Sequence, residues 1–489
     1  MRFHSSAANE PHSLPHAPPI GKLSILIPLF NEEEYIREVL RRVVGAPLPP
    51  GLQMEIVVVD DCSTDASVAS VLQFAKEHSG LIKLVRNERN LGKGASIQKA
   101  IEHATGDFAI IQDADLEYDP QEYQKLLGPL LSGRADAVFG SRFLSSDERR
   151  VLYFWHSIAN RCLTTTCNLI TDLTLTDMET CYKAFRMALL RSIPLRSRRF
   201  GFEPEITIKL ARRKARVYEV PISYHGRTYE EGKKIGLKDA FEALYLIARY
   251  AFTNQLYRDY GQQILHVFSQ APRFNRWMAD TIRPFLGAEV MEIGAGMGNL
   301  SRQLAPRRRR YIATDLDREH LARLRAELLH RPNVEVAVCD LENPKDFEPF
   351  RGQMDSVVCL NVLEHIENDV QGLRNIHSVL RKGGRAVVLV PEGMGLYGTL
   401  DKVLGHYRRY SKEELRQRFE KVGFRVEKIL EFNRISRPGW YLTGRLFKRN
   451  TINAFQLRTF DRLVWLWRKI DHRLPWSPTS IIAIGVRED

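Results

Sequence analysis

Two segments of the chain alternate short apolar runs with amphipathic stretches, and each begins with an apolar run, near Leu23 and near Glu289. Short apolar runs are typical of buried strands, and strands that alternate with helical patterns indicate open parallel α/β sheets. Between the segments, Leu237 to Phe252 and Gln262 to Leu286 carry apolar residues at helical spacing, the second interrupted at Pro272. We therefore predict two α/β domains joined by helices.

The length of the chain supports this division, because 489 residues exceed the size at which one hydrophobic core keeps growing. Hydrophobic residues make up 44% and charged residues 27% of the sequence, which is enough apolar material for two cores. We predict a flexible tail at residues 1–21 and a first domain at 22–252. A linker with a leading helix at 253–288 and a second domain at 289–489 follow.

The charge favours anionic partners, because 72 Lys and Arg against 59 Asp and Glu leave a formal net charge of +13. Nucleotides, phospholipid surfaces and nucleic acid all fit a basic protein, and charge alone does not choose among them. The sequence lacks the interleaved basic and aromatic patch that nucleic-acid binding requires, so we expect no nucleic-acid partner.

The six cysteines are scattered, without a CxxC pair or a spacing typical of zinc sites or disulfides, which favours a reducing cytoplasm. The first 21 residues lack the basic and apolar regions of a signal peptide, and no stretch is apolar enough to cross a bilayer. We expect a cytoplasmic protein that can rest peripherally on the inner membrane face. Val151 to Leu175 is the candidate for that contact, and buried helices are the alternative.

Polar side chains follow three predicted strands of the first domain. Asn31 follows LSILIPL, Asp60 and Asp61 end MEIVVVDD, and Asp113 and Asp115 end DFAIIQDAD. Because ligands bind beyond the carboxyl ends of strands in open α/β sheets, we expect these residues to meet in one crevice.

The Asp113-Ala-Asp115 spacing has a specific chemical use. Two carboxylates one residue apart on an extended segment can point the same way and hold a hard divalent cation such as Mg²⁺ or Mn²⁺. Such a cation neutralises the diphosphate leaving group of a nucleotide-sugar. Taken alone, the spacing also fits two solvated turn aspartates.

The ordered motifs of residues 22–252 resemble those of inverting family 2 glycosyltransferases of GT-A fold, especially the polyprenyl-phosphate mannose or glucose synthases. The motifs are IPLFNEE, VVVDDCSTD, RNLGKGASIQKA, DADLEYDP and GSRF. The resemblance implies hexosyl transfer from a nucleotide-sugar with a divalent cation, to a lipid-phosphate or glycan acceptor.

The resemblance also implies roles for particular residues. The nucleotide-binding edge comprises Pro28, Asn31 and Glu32, with Asp60 or Asp61 reaching the base or ribose. The metal and diphosphate ligands are Asp113 and Asp115, with Glu117 at a position where relatives often have Gln beside the metal. The cationic groups that face the phosphates or close over donor and acceptor are Arg142, Arg227, Lys233 and Lys234.

The acceptor decides which other groups the first domain needs. A lipid phosphate is already ionised at neutral pH and can attack the anomeric carbon without a general base, so cationic positioning suffices. A hydroxyl acceptor would need a carboxylate base, for which Glu179, Glu203 and Glu205 are the candidates.

The second domain opens with a strand that runs into a glycine-rich turn, EIGAGMG, with Glu292, Gly294, Gly296 and Gly298. Glycines let the backbone approach a ligand and leave N–H groups of the following helix available. The turn alone also fits a dinucleotide site. Asp315 ends the next apolar run, where a carboxylate can accept hydrogen bonds from both ribose hydroxyls.

The succession EIGAGMG, YIATDLD, VEVAVCDLEN and NVLEHIEN resembles the class I S-adenosylmethionine-dependent methyltransferases over about residues 262–489. It implies a seven-stranded sheet with its last strands antiparallel. The implied cofactor residues are Glu292 to Gly298 for the methionine part, Asp315 for the ribose, Asp340 and Leu341 beside adenine, and Asn361 with His365 on the methyl-transfer side.

Methyl transfer to a hydroxyl gains from a base, for which His365 or His406 is available, although His406 is also typical of a capping or core histidine. Arg408, Arg409 and Tyr410 are expected on a substrate-facing loop before a helix capped by Ser411. We therefore predict a bifunctional glycosyltransferase and O-methyltransferase. The alternative is one active methyltransferase whose other domain only binds a lipid or glycan.

Overall fold

The computed structural model describes residues 21–144, 151, 153–199, 201–226, 237–252, 255–317, 320–321, 324–325, 328, 331–452 and 454–488. The chain divides into two compact units, Met1–Arg258 and Asp259–Asp489. Each unit contains one seven-stranded sheet, which confirms the predicted pair of α/β folds. The exact domain limits given above remain predictions.

The sheet of the first unit has the strand order β3-β2-β1-β4-β6-β5-β7. Only β6 runs antiparallel to its neighbours β4 and β5, and the other described pairs are parallel. The strands are β1 Lys22–Leu29, β2 Gln53–Asp60, β3 Ile82–Arg86, β4 Phe108–Ile111, β5 Ala137–Ser141, β6 Lys183–Arg186 and β7 Val217–Pro221.

Two hydrophobic layers cover the faces of this sheet. Alternate residues of β1 enter opposite layers, with Ile25 and Ile27 in one and Leu26 in the other, because successive side chains of a strand point to opposite faces. The α-helices of the unit are Ile36–Val44, Ser67–Glu77, Lys93–His103, Tyr123–Leu131, Phe154–Thr171, Met187–Ser192, Phe202–Arg212 and Leu237–Ala251, and a 3₁₀ turn spans Pro120–Glu122.

The apolar stretch at Val151 to Leu175 forms one helix, Phe154–Thr171, which packs on Phe202–Arg212 and on Leu237–Ala251. One face of this helix is buried, at Leu163, Thr164 and Cys167, whereas Trp155 is 76% exposed and Leu169 is 83% exposed, so the alternative of buried helices holds for one face of the helix only. None of the described helices is long and apolar enough to cross a membrane.

The sheet of the second unit has the order β10-β9-β8-β11-β12-β14-β13. β14 is antiparallel to both β12 and β13, as the resemblance implied, and the remaining pairs are parallel. The strands are β8 Glu289–Ile293, β9 Arg310–Asp315, β10 Val334–Val338, β11 Met354–Leu360, β12 Leu380–Pro391, β13 Phe424–Phe432 and β14 Ser480–Arg487.

The helical stretch before β8 forms two helices, Tyr260–Ser269 and Pro272–Ile282, and the break falls at the predicted proline because proline is favoured in the first turn of a helix. The other α-helices are Ser301–Leu304, Asp369–Val379, Thr399–Leu404, Lys412–Lys421, Arg437–Tyr441, Ala454–Arg462 and Val464–Ile470. A π-helical turn spans Leu442–Leu446, and 3₁₀ turns span Arg283–Phe285, Ala305–Arg307, Pro344–Phe350, Leu363–His365, Met394–Leu396, Arg434–Ser436 and Asp471–Arg473.

Candidate functional sites

The residues predicted to meet in one crevice of the first unit follow strands that share one edge of the sheet, because β2, β1 and β4 are neighbours and run parallel. The loop after β1 is joined to the loop after β2. The Asn31 N–H donates to Ser63 Oγ at 3.0 Å, and Asn31 Oδ1 accepts from the Thr64 N–H at 2.9 Å. Glu32 is tied in the same way, through its N–H to Ser67 Oγ at 2.9 Å. The loop after β1, a strand with Pro28 near its end, is therefore held in a defined conformation.

Asp60 and Asp61 are both buried and accept hydrogen bonds from the loops that surround them. Asp60 accepts from the Ser63 N–H at 3.0 Å and from Arg86 Nε at 3.1 Å. Asp61 accepts from the Leu91 N–H at 2.9 Å, from the Gly92 N–H at 2.7 Å and from a side-chain amide. Asp61 thus shapes the turn that precedes the helix Lys93–His103, and the predicted contact with a base or ribose remains a prediction.

A partly buried lysine, to which the sequence interpretation gave no role, lies against the Asp113-Ala-Asp115 (DxD) motif. Lys93 Nζ is 2.5 Å from Asp113 Oδ1, 2.7 Å from Cys181 Sγ and 4.0 Å from Glu203 Oε1. Burial alone lowers the pKa of Lys93. The neighbouring acidic groups, of which Asp113 has the largest effect, outweigh burial and raise that pKa well above its usual value. The motif NLGKG contained this residue, but only the tertiary contact identifies its partner.

Glu117 connects the DxD loop with the segment after β7. Its N–H donates to Asp115 Oδ1 at 3.2 Å, and its Oε2 accepts from the Tyr224 hydroxyl at 2.9 Å. The carboxylates of Asp113, Asp115 and Glu117 thus lie on one loop and offer the oxygen ligands that Mg²⁺ and Mn²⁺ prefer.

The predicted basic residues Arg227, Lys233 and Lys234 lie outside the described residues.

Arg142 is held by a buried carboxylate. Its Nε and Nη2 donate to Asp177 Oδ2 and Oδ1 at 2.6 and 2.8 Å, and its backbone N–H donates to the same side chain at 3.1 Å. Burial raises the pKa of Asp177, but the charge and hydrogen bonds of Arg142 outweigh burial and leave that pKa below its usual value. The guanidinium also lies over the Tyr224 ring at 5.0 Å. Sequence reasoning placed Arg142 at the phosphates without finding this partner.

The three candidate bases have different surroundings. Glu205 pairs with Lys209 at 2.5 Å and accepts from the backbone of Arg196 and Ser197, so it holds a loop. Glu179 has one buried carboxylate oxygen without a hydrogen-bond partner among the described residues, and Glu203 has one such oxygen too. Burial, followed by the charge of Glu203, raises the pKa of Glu179 to about 8.

The three glycines of the loop in the second unit adopt left-handed backbone angles, which glycine takes without strain. Gly294, Gly296 and Gly298 have φ angles of 73°, 52° and 72°. A Cβ on Gly294 would lie 2.2 Å from Val362 Cγ2, whereas a Cβ on Gly296 would meet nothing within 4 Å among the described residues. Open space therefore lies beside the Gly296 backbone, which fits a loop that receives a cofactor.

The acidic residues around this loop hold it in place. Asp315 Oδ2 accepts from the Gly296 N–H at 2.7 Å, and buried Glu292 accepts from the Tyr311 hydroxyl at 2.8 Å and from Ser301. Burial raises the pKa of Glu292. Asp340 Oδ1 accepts from the Glu342 N–H at 2.9 Å.

The remaining predicted cofactor residues lie on neighbouring strands. Leu341, after β10, is buried. Asn361, directly after β11, has a φ of 55° and donates its N–H to Leu389 O at 3.0 Å. Since β10, β9, β8 and β11 are adjacent in this order, all the predicted cofactor residues lie at one edge of the sheet.

His365 lies in the 3₁₀ turn after Asn361, and its ring meets the His406 ring edge-on at 4.7 Å between centroids. Burial and then the charge of His406 lower the pKa of His365 to about 4. His406 is buried, as its alternative interpretation proposed, and its Nδ1 lies 3.0 Å from Asp401 Oδ1.

The neighbouring Glu364 is fully buried, and burial raises its pKa to about 8. The motif NVLEHIEN contains Glu364, to which the sequence interpretation assigned no role.

The prediction that Arg408, Arg409 and Tyr410 face the substrate is wrong for Arg409 and Tyr410. Arg409 and Tyr410 are 3% and 1% exposed. Arg409 donates to Asp401 at 2.8 Å, and the Tyr410 hydroxyl donates to Asp369 at 3.0 Å. Both side chains therefore bind the interior of the unit. The predicted helix cap at Ser411 is confirmed by a capping box with Glu414.

Two family models match the chain. Residues 24–193 match the glycosyl transferase family 2 model, and residues 291–386 match a methyltransferase domain model. The chain therefore carries a family 2 glycosyltransferase domain followed by a methyltransferase domain, which confirms both resemblances.

Curated relatives match the first of these domains. The dodecaprenyl-phosphate galacturonate synthase of Rhizobium johnstonii is 26% identical over 46% of this chain and 64% of its own length. The undecaprenyl-phosphate 4-deoxy-4-formamido-L-arabinose transferase of Klebsiella pneumoniae is 28% identical over 44% of this chain and 63% of its own length. The chain thus spans less than two thirds of the length of these relatives.

Solved structures match each domain. Glucosyl-3-phosphoglycerate synthase of Mycobacterium tuberculosis, in complex with UDP, is 18% identical with a TM-score of 0.38, over 47% of this chain and 80% of that chain. A methyltransferase-like protein of Bacillus halodurans is 19% identical with a TM-score of 0.31, over 44% of this chain and 99% of that chain.

Proposed function

We propose that the protein is a bifunctional enzyme. Its first domain transfers a hexosyl group from a nucleotide-sugar to a polyprenyl phosphate, glycolipid or glycan, and its second domain O-methylates a related substrate with S-adenosylmethionine. The observation that carries the proposal is the gathering of two different residue sets at the carboxyl edges of two sheets. One set is built around Asp113 and Asp115, and the other around the turn from Gly294 to Gly298.

The first site suits transfer to an acceptor that is already anionic. Asp113 and Asp115, with Glu117 beside them, are the residues that would hold Mg²⁺ or Mn²⁺, and the cation would neutralise the departing diphosphate. Lys93 and Arg142 supply fixed positive charge near the same edge, and such preorganised charge stabilises a transition state without reorganisation. A phosphate acceptor can attack the anomeric carbon, and invert it, without a general base. A site that supplies cations for positioning therefore suits a polyprenyl phosphate better than a hydroxyl acceptor.

The helix Phe154–Thr171 supports contact with a membrane surface. Trp155, Ile158, Cys162, Thr165 and Leu169 follow one another at helical spacing, and all five are exposed. An exposed and largely apolar stripe of this kind suits the boundary between headgroups and acyl chains, where a polyprenyl acceptor is anchored.

The membrane contact is tested by sedimentation of the full chain with phosphatidylglycerol vesicles. Trp155→Ser with Leu169→Ser should lower the bound fraction several-fold. Leu72→Ser, on the helix Ser67–Glu77 and 50% exposed, is the matched control and should bind as the unaltered chain does. Equal binding by all three proteins would remove this surface from the proposal.

The second site suits alignment of a sulfonium donor with an acceptor hydroxyl. Open space at Gly296 fits a cofactor that approaches the backbone closely, and Asp315 stands beside it at the end of β9. S-adenosylmethionine would supply the transferable methyl group. Asn361, directly after β11, and His365, in the 3₁₀ turn that follows, would line the transfer side, where positioning of donor and acceptor lowers the barrier.

A second candidate function rests on the contact between Lys93 and Asp113. The lysine supplies a positive charge at 2.5 Å from the motif that the proposal assigns to a metal ion. A first domain that binds a lipid or glycan without transferring sugar would keep this pair and need no cation, leaving the methyltransferase as the active half. Hydrolysis of a nucleotide-sugar by the full chain with Mn²⁺ would contradict this alternative.

The main proposal is tested by thermal shift of the full chain with nucleotide-sugars plus Mg²⁺ or Mn²⁺ and, separately, with S-adenosylmethionine. Asp115→Ala should abolish the first shift and keep the second, while Gly294→Val should do the reverse. Because a side chain at Gly294 overlaps Val362, Gly296→Val is needed as well, since its side chain meets no neighbour among the described residues and is strained only by the left-handed φ of 52° that it shares in kind with Gly294. If the nucleotide-sugar shift survives in Asp115→Ala, the first site is wrongly assigned. If the S-adenosylmethionine shift survives in Gly294→Val and Gly296→Val, the second site is wrongly assigned.

A further inference from the structure

Three potential metal ligands converge beside the glycine loop of the second unit. Glu364, His365 and His406 each offer one ligand atom, and these atoms all lie within 4.8 Å of one another. Glu364 and His365 come from the 3₁₀ turn after β11. His406 follows the helix Thr399–Leu404, whose end at Gly405 has a φ of 78°. The neighbouring Val362 meets Gly294, which places the cluster next to the proposed cofactor site.

The carboxyl group of Glu364 lacks the partners that a buried polar group needs. Glu364 is 0% exposed, and neither of its side-chain oxygens has a hydrogen-bond partner among the described residues. A buried polar group without a partner is costly, so native proteins pair such groups or use them to bind an ion. The nearest ring nitrogen, His406 Nε2, is 3.9 Å from Glu364 Oε1, which is too far for a hydrogen bond.

A second carboxylate, that of Asp401, orients His406 through the ring nitrogen Nδ1. Its Nδ1 lies 3.0 Å from Asp401 Oδ1, and the same oxygen accepts from Arg409 Nε at 2.8 Å. A hydrogen bond at Nδ1 selects the tautomer in which Nε2 carries the lone pair, and Nε2 is the atom on the side of Glu364. A histidine whose second nitrogen is held by a carboxylate is the usual arrangement of a metal-binding imidazole.

We propose that Glu364, His365 and His406 bind a divalent transition-metal ion such as Zn²⁺ or Mn²⁺. Two imidazoles and one carboxylate form a three-ligand set that leaves a coordination position for water or substrate. In tetrahedral geometry, ligand atoms bound at about 2.1 Å lie roughly 3.4 Å apart, so modest side-chain rotations would close this set on an ion.

The proposed ion has a consequence for methyl transfer, and this step rests on the function proposed above. An acceptor hydroxyl that occupies the open position becomes more acidic and releases its proton to solvent. The resulting oxygen then attacks the methyl carbon of the sulfonium. The new carbon–oxygen bond forms as the carbon–sulfur bond breaks, and the sulfur leaves as a neutral thioether. The substrate class is therefore an alcohol or phenol that can coordinate the ion.

Cobalt titration of the full chain tests the site without relying on catalysis. The protein is treated with EDTA, dialysed and titrated with Co²⁺, whose visible absorption reports nitrogen coordination. The unaltered chain should bind one equivalent that gives an imidazole-type spectrum, in addition to any Co²⁺ held by the oxygen ligands of the first domain. Glu364→Gln and His406→Ala should each lower the affinity at least tenfold, and His365→Gln provides a third, independent removal of a ligand.

Two controls separate this site from others in the chain. His472→Ala removes an exposed histidine outside the cluster and should bind Co²⁺ as the unaltered chain does. Asp115→Ala disables the cation site proposed for the first domain and should leave the cobalt spectrum unchanged. Unaltered spectra in all three ligand variants, or no spectrum in the unaltered chain, would overturn the proposed site. A chain that binds Co²⁺ but transfers no methyl group would support the site and contradict the proposed methyltransferase activity.

Discussion

The two candidate sites lie at the same edge of their respective sheets but differ in how their charged groups are partnered. In the first unit, Asp61, Asp113 and Arg142 each bind a group of the chain itself, although the candidate bases Glu179 and Glu203 each keep one carboxylate oxygen without a hydrogen-bond partner among the described residues. In the second unit, the backbone at Gly296 borders open space and the Glu364 carboxyl has no hydrogen-bond partner among the described residues. The first site thus carries preorganised charge, whereas the second retains space and ligand atoms for what it binds.

The difference matches the chemistry that we propose for each site. Transfer of a sugar from a diphosphate develops negative charge on the leaving group, which fixed cations and a metal ion stabilise. Transfer of a methyl group from a sulfonium neutralises a positive charge, so close alignment matters more than added cations. The carboxyl edge of each sheet therefore supports a different reaction, because different side chains surround it.

The largest expected effect comes from breaking the charge pairing of the first site. Asp177→Ala removes the carboxylate that holds Arg142 and leaves a largely buried guanidinium unpaired, which should lower the free energy of unfolding by about 3 to 5 kcal/mol. Urea unfolding of the full chain measures this loss. Glu102→Ala is the control, because Glu102 is exposed, and it should change that free energy by less than about 0.5 kcal/mol. Equal stability of the two variants would show that Arg142 does not depend on this partner.

An intermediate effect should come from filling the close backbone contact of the second site. Gly294→Ala places a Cβ against Val362 and should cost about 1 to 3 kcal/mol through overpacking. The left-handed φ adds about 1 to 2 kcal/mol, and Gly296→Ala should show that second cost alone. Thermal unfolding measures both variants.

The overlap at Gly294 can be isolated by a double-mutant cycle. Val362→Ala removes the methyl group that the new Cβ would meet, so the pair Gly294→Ala and Val362→Ala should be less destabilised than the sum of the single variants. Strict additivity would mean that the destabilisation does not arise from this contact.

The smallest expected effect concerns the link between the DxD loop and the segment after β7. Tyr224→Phe keeps the ring that lies under Arg142 but removes the hydroxyl that donates to Glu117, so it should lower the free energy of unfolding by about 1 kcal/mol. Chemical unfolding of Tyr218→Phe is the comparison, since Tyr218 is 39% exposed. A Tyr224→Phe variant as stable as Tyr218→Phe would show that the first site is less tightly linked than its contacts indicate.

The pattern of the chain by itself determined the two folds and the general position of both sites. Strand alternation, DxD spacing and the glycine turn are local features, and the carboxyl ends of parallel strands share one edge wherever the sheet forms. For this reason Asp61, Asp113 and Gly294 lie at sheet edges where they were predicted. The break between two helices at Pro272 followed from local chemistry in the same way.

Only the tertiary structure decided which charged groups bind one another and which side chains are buried. Asp177 and Arg142 are 35 residues apart in sequence, and nothing in either local pattern selects the other. The burial of Arg409 and the approach of His406 to Glu364 depend on how separate loops pack around the second sheet. Such partners are chosen by three-dimensional proximity and by the cost of leaving a buried charge unpaired, and neither quantity can be read from a short stretch of sequence.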